Sequence, residues 1–244
     1  MKAFEAAYVR QFEADMILHV KNFTPNHARA LGDDGVLRVV QLGMDHAHGH
    51  GLISRGAVRF YIEAMFLLGS GFDSDPQYPW AQEILNDCKH SRGNVNADRL
   101  YDKITDFVEK VGGPRRSFAI EALRRVNEEP WSRLPSVPFP LDVIEVLRQI
   151  YPQKCLYLGT SVLVALASRA RHIGYQYLPG SKRDVTLIAG LMFAMGHGFI
   201  EDPQYPWVAN TLATAESAVE RARLLEKKAV TYLSQVLSRQ SEQH

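Results

Sequence analysis

The sequence predicts an all-α protein made of two pseudo-symmetric helical units. Three observations carry that reading. Apolar residues recur at helical spacing along nearly the whole chain. No run alternates apolar and polar residues strictly, as a half-buried strand would. The hexapeptide Asp-Pro-Gln-Tyr-Pro-Trp occurs twice, at Asp75–Trp80 and Asp202–Trp207. Further identities share its offset of 127 residues, without a gap. Met65-Phe66 recurs as Met192-Phe193, Gly69 as Gly196, and Gly71-Phe72 as Gly198-Phe199. Upstream, Pro25, Leu31, Gly32, Ser54 and Val58 recur as Pro152, Leu158, Gly159, Ser181 and Val185. We read this as duplication of a half-length unit. A feature present in both copies belongs to the architecture. A feature present in one copy is where a specific activity is to be sought.

In the first unit, Phe4, Tyr8, Phe12, Met16 and Val20 fall on one helical face. That helix should stop near Phe23, because Pro25 disfavours the helical region at the residue before it. Gly32-Asp33-Asp34 offers a cap for a second helix carrying Val36, Val39, Val40 and Met44. A third helix runs from about Ala57 to Leu68, and Gly69 closes it. In the hexapeptide, each proline fixes its own φ and keeps the preceding residue out of the helical region. Trp80 opens a short helix through Ile84 and Leu85, while Tyr78 and Trp80 should plug the end of the unit.

The second unit repeats the plan with Leu141–Ile150, Ser161–Tyr175 and Asp184–Met195, the last closed by Gly196. Between the units lie Ala97–Val111 and Pro114–Asn127, the latter with proline in its first turn. Glu129–Pro140 holds four prolines and reads as an extended connector. A long charged helix from about Thr214 to Ser238 follows, with Arg239–His244 fraying. The expected organisation is a first repeat unit over 1–90, inserted helices and connector over 91–140, and a second unit with the long C-terminal helix over 141–244.

Hydrophobic residues make up 46% and charged residues 23%, the balance of an ordinary globular chain. A net charge of +1 gives no general attraction to nucleic acid or acidic membranes. Arg115, Arg116, Arg124 and Arg125 are interleaved with Glu121, Glu128 and Glu129, the pattern of a solvated helix face. The most apolar stretch, Val185–Met195, is shorter than the ~20 residues a bilayer requires. The first residues lack the apolar run of a signal peptide. Cys88 and Cys155 occupy non-equivalent places and form no metal or redox motif. These features together lead us to expect a cytoplasmic protein with two reduced thiols, no cofactor, and neither a nucleic-acid nor a membrane partner.

One segment is dense in chemistry: Asp45-His46-Ala47-His48-Gly49-His50. His46 and His50 lie one helical turn apart, a spacing at which two imidazoles can chelate a metal. Further ligands would have to come from elsewhere, with His19, His27 and His90 as candidates. The second unit has His172-Ile173-Gly174-Tyr175-Gln176-Tyr177 in this place, so the histidines are not repeated. Gly49 and Gly51 mark a helix end, where imidazolium is favoured in any case. The expectation is therefore no metal. The alternative is a helical metal-dependent enzyme centred on His46 and His50. No nucleophile elbow, phosphate-cradling loop or His-Glu-x-x-His is present in the sequence, and no catalytic residue is assigned. The hexapeptide reads as a rigid corner. Its functional alternative is a protein-recognition surface displaying Asp73, Asp75, Glu201 and Asp202. Asp73-x-Asp75 lacks the glycine and glutamate of a calcium loop, and the second copy has Ile200 in place of Asp73.

The run from Leu52 through Met65-Phe66-Leu67-Leu68-Gly69, with Phe72-Asp73-Ser74-Asp75-Pro76 and Pro79-Trp80, resembles a family of small helical bacterial proteins. Members show a Met-Phe-x-x-Gly step followed by Phe-Asp-x-Asp-Pro-x-x-Pro-Trp, and their genes sit beside type VI secretion toxin genes. The resemblance covers about residues 10–90. The second unit keeps the glycine, Met-Phe and Asp-Pro…Pro-Trp parts but has Phe199-Ile200 at the Phe-Asp step. The family offers no catalytic residues to carry over. The resemblance implies a non-enzymatic protein-binding module, either a chaperone or adaptor for a secreted toxin or an immunity protein against one. Its partner would be that toxin or its delivery apparatus.

Overall fold

A computed structural model describes the backbone of residues 2–88, 94–128 and 137–237, and the side chains of 6–87, 97–128 and 137–237. Among these residues every regular element is helical and none is a strand. The long helices are α1 (Lys2–Phe23), α2 (Pro25–Gly49), α3 (Arg55–Leu68), α4 (Pro79–Cys88) and α5 (Asn94–Phe107). They are followed by α6 (Ser117–Glu128), α7 (Leu141–Ile150), α8 (Pro152–Tyr177), α9 (Lys182–Met195), α10 (Pro206–Thr214) and α11 (Ala218–Leu237). No described helix is long and apolar enough to cross a membrane.

Positions 127 apart take closely similar conformations. Thr24 (φ −139°, ψ 68°) and Tyr151 (φ −140°, ψ 71°) share one non-helical conformation, as the proline after each disfavours the helical region. Pro25 and Pro152 then open α2 and α8 at once, where the missing N–H costs nothing. The sequence reading began these helices later, at Gly32 and at Ser161. Gly32 (φ 68°) and Gly159 (φ 78°) are instead breaks inside them. Asp33, expected as a cap, pairs with Lys21 at 2.8 Å. Ser54 and Ser181 cap the 14-residue helices α3 and α9, accepting from the N–H of Ala57 and Asp184. Gly69 (φ 100°) and Gly196 (φ 97°) end them.

Two cores result, one on each half. The first centres on Met16, Val36, Ile62, Met65, Phe72 and Leu85, and the second on Leu147, Leu163, Leu187, Ile188, Phe199 and Leu225. In the first half α5 packs on α3 and α4, while in the second α11 packs on α9 and α10. Helix α11 also lies against α2 and α6.

Three helices end differently from expectation. Helix α5 stops at Phe107 and passes into a π turn, Val108–Gly112. Proline 114 opens a 3₁₀ turn rather than α6, because Arg115 (φ 50°) and Arg116 (φ 61°) are left-handed. Helix α11 begins at Ala218, after Ser217 accepts a cap bond from the Glu220 N–H at 3.1 Å. Trp80 and Trp207 are half-buried, and it is Tyr78 and Tyr205 that fill the ends of the halves. His90, the start of the connector (129–136), the Cys88 thiol and Arg239–His244 lie outside the described residues.

Candidate functional site

Each hexapeptide hydrogen-bonds the helix end and turn that precede the other. Asp75 accepts the backbone N–H of His197 at 2.7 Å with Oδ2, and that of Gln77 at 2.8 Å with Oδ1. Asp202 accepts the N–H of Ser70 at 2.8 Å and that of Gln204 at 2.9 Å. The Gln77 amide donates to Met192 O at 2.9 Å, and the Gln204 amide to Met65 O at 2.8 Å. These six bonds thus form three pairs at the same offset, while the Ser70 hydroxyl, which donates to Asp202 at 2.6 Å, has no counterpart at His197. Gly69 and Gly196 let the backbones approach here: a Cβ on Gly69 would lie 2.7 Å from Met195 O, and one on Gly196 3.3 Å from Leu68 O. The repeated motif is thus a reciprocal clasp, with the Asp as acceptor, the Gln as donor and the glycines giving clearance.

This clasp takes two of the four expected surface carboxylates away from the surface. Asp75 and Asp202 are 3% and 7% exposed, with their oxygens committed to the chain's own N–H groups. Burial raises the pKa of Asp75, but the His197 and Gln77 hydrogen bonds outweigh it and the net shift is downward. Burial prevails at Asp202, whose partners are the Ser70 hydroxyl and backbone N–H groups, and its pKa is raised. Only Glu201 and part of Asp73 remain at the surface.

Asp73 gathers a second arrangement. His50 Nε2 lies 2.8 Å from Asp73 Oδ2, and the Tyr61 hydroxyl donates to the same oxygen at 2.7 Å. His46 Nδ1 stands 3.8 Å from it. The end of α2, the middle of α3 and the turn after Gly69 each contribute. Burial works to raise the Asp73 pKa, but the His50 and Tyr61 bonds and the nearby imidazoles bring it below the usual carboxylate value. The Tyr61 phenol is pushed up by burial and by Asp73. The Nδ1 atoms of His46 and His50 have no hydrogen-bond partner.

The same four places in the second half hold Ile173, Tyr177, Ile188 and Ile200. Ile173 and Ile188 are buried there, and Tyr177 and Ile200 pack against the core. An apolar quartet therefore occupies the place that His46, His50, Tyr61 and Asp73 take in the first half. Sequence reading found the two histidines but not Asp73 or Tyr61 as their partners. The comparison by offset contained that signal. Of the other candidate histidines, His19 pairs with Glu63 at 2.6 Å and His27 is in the interior. Among the described residues no group of three His, Cys, Asp or Glu side chains is arranged to hold a metal ion.

Between the halves lies a cavity of about 250 Å³. Its walls are mostly apolar, with Phe66 and Phe107 from one half and Leu187 and Phe193 from the other. His27 and Lys154, 127 residues apart, both line it. His27 packs edge-on against Phe66 and Tyr232, with ring centroids 6.2 and 6.0 Å apart. Burial, then the charge of Arg116, lowers its pKa to about 4. The Lys154 ammonium lies 4.8 Å from the Phe193 centroid and 5.8 Å from those of Tyr78 and Phe107, and donates to Phe193 O. Burial brings it down to about 8, with Asp75 opposing.

No protein-family model, curated protein or solved structure matches this chain.

Proposed function

We propose that the protein binds another protein and performs no chemistry of its own. It would serve as a chaperone or adaptor for a secreted toxin, or as its immunity protein, within the cytoplasm. One observation carries the reading. The first half keeps a polar quartet where the second builds the same place from apolar side chains. A polar cluster that is partly withdrawn from water costs desolvation energy, and packing alone does not call for it. Its open side, with His46 and Asp73 flanked by exposed Asp45 and His48, presents hydrogen-bonding groups that the second half lacks. A partner recognised here would meet a surface held rigid by the clasp, which lowers the ordering cost of binding. The resemblance around Arg55–Trp80 supplies the secreted-toxin setting, and the buried free thiol of Cys155 suits a reducing compartment.

The test is co-expression with the product of each neighbouring gene, followed by size-exclusion chromatography. Asp73→Ile with His50→Tyr installs the residues of the second half, so it should fold and lose co-elution. Charge reversal at Glu201 should slow association without unfolding. Full co-elution of the double variant would refute this site. The rival reading is a metal-dependent enzyme centred on His46 and His50, which Asp73 adjoins without completing a metal-holding group. Stoichiometric metal that leaves with His46→Ala/His50→Ala, together with no binding to any neighbour, would decide for the rival.

A further inference from the structure

The cavity between the halves is not used by the proposed protein interface and poses a separate problem. Lys154 is 5% exposed, yet no carboxylate of the described residues lies within ion-pair distance of its ammonium. Among the described residues it donates to the Phe193 carbonyl and lies over the rings of Phe193, Tyr78 and Phe107, none of which supplies a counter-charge. Buried ammonium groups are ordinarily paired, because leaving water without a counter-charge costs several kcal/mol. A second polar group is also left over. The Tyr232 side chain is 7% exposed, lines the same cavity, and its hydroxyl has no hydrogen-bond partner. A buried hydroxyl without a partner is unfavourable. A cation without a carboxylate partner, from α8, and an unpartnered hydroxyl, from α11, thus line one apolar space.

The geometry points to a small apolar carboxylate as the occupant of this cavity, its acid group meeting the Lys154 ammonium and the Tyr232 hydroxyl and its body lying among Phe66, Phe107 and Leu187. Size sets the scale. A cavity of about 150 Å³ lined by apolar side chains holds benzene, with six non-hydrogen atoms. At that ratio, 250 Å³ holds about ten. An eight-carbon fatty acid has that many. Charge selects the head group: Lys154 is a cation, and Arg116, which also lines the cavity, adds a second. A cationic or neutral ligand of the same length would leave Lys154 unpaired. The neighbourhood of Arg116 is also unusual. Arg115 and Arg116 are consecutive left-handed non-glycine residues, a conformation that costs free energy and is retained mainly where function requires it.

The experiment titrates purified full-length protein with octanoate, octanol and octylamine, using calorimetry and the shift in unfolding temperature. Octanoate should bind at least tenfold more tightly than octanol, and octylamine should not bind. Lys154→Met should abolish that preference while octanol binding persists. Tyr232→Phe should weaken octanoate severalfold, and in the ligand-free protein it should not lower the unfolding temperature, since it removes an unpartnered hydroxyl. If Lys154→Met does not fold, the wild-type head-group series and Tyr232→Phe still decide. Equal binding of octanoate and octanol to the wild type, or no octanoate binding at millimolar concentration, overturns the proposal. Neither outcome bears on the protein-binding reading, whose site is at Asp73.

Discussion

Removing the Asp75 carboxylate tests whether the clasp holds the halves together. In Asp75→Ala, the N–H groups of Gln77 and His197 lose their acceptor. Gln77 is fully enclosed and His197 largely so. Each unpartnered N–H costs about 1–3 kcal/mol, so the substitution should destabilise by roughly 2–6 kcal/mol. That is a large share of the 5–15 kcal/mol typical of a folded domain. Gln77→Ala should cost far less, about 1 kcal/mol. The Met192 carbonyl it releases still accepts from Gly196 N at 2.9 Å, so no group is orphaned. Urea denaturation followed by tryptophan fluorescence measures both, because Trp80 and Trp207 sit inside the two hexapeptides. The pH dependence is fixed by sign. The folded-state pKa of Asp75 lies below 3.8, so its contribution is fully present above that value and fades as pH falls through the folded pKa. The gap between wild type and Asp75→Ala should therefore be constant near neutrality and shrink in acid. A loss no larger than that of the exposed Asp33→Ala would refute the clasp.

Three further outcomes are expected. Gly69→Ala should cost roughly 2–5 kcal/mol, combining a forbidden backbone conformation with a Cβ 2.7 Å from Met195 O. Gly32→Ala, where φ is also positive but the space is open, should cost only about 1–2 kcal/mol, and urea midpoints give the order. His27 is held neutral, with a folded pKa of about 4 against 6.5. Stability should thus fall as pH drops from 6.5 to 4, by on the order of 3 kcal/mol, and His27→Gln should flatten that limb in denaturation midpoints taken across pH. Elemental analysis of purified protein should find no stoichiometric metal, and His46→Ala/His50→Ala should shift stability by about 1 kcal/mol.

Helical character and the glycine stops were legible because each depends on local patterns: apolar spacing, proline geometry and the freedom of glycine. The short helical turns opened by Pro25 and Pro152 were missed because proline after a non-helical residue both ends one helix and starts the next. The left-handed pair Arg115-Arg116 could not be read, since arginine carries no turn signal. At the site, His46 and His50 were visible as a spacing on one helix. Asp73 and Tyr61 were not, because only tertiary packing brings the turn after α3 to the end of α2. Asp75 and Asp202 were read as a possible surface because acidic residues are usually exposed. Their burial follows from contacts 122 and 132 residues away, which no local pattern encodes.

The halves agree where they touch each other and diverge where they face something else. At the clasp, Asp75, Gln77 and Gly69 keep their identities in Asp202, Gln204 and Gly196, and each bond is matched within about 0.1 Å. Exchange of one partner there would orphan a group in the other half, so the pair is constrained jointly. No such constraint acts on His46, His50, Tyr61 and Asp73, whose counterparts are all apolar or aromatic. Nor does it act on His27 and Lys154, which face the shared cavity with different bases. If those differences were only drift within the core, substitutions of similar polarity would be expected, because an unpaired buried cation or carboxylate is costly. At the Asp73 site the side chains are ionisable in one half and apolar or aromatic in the other, while the cores around them stay intact. That pattern is what the proposed contact at the Asp73 surface would leave.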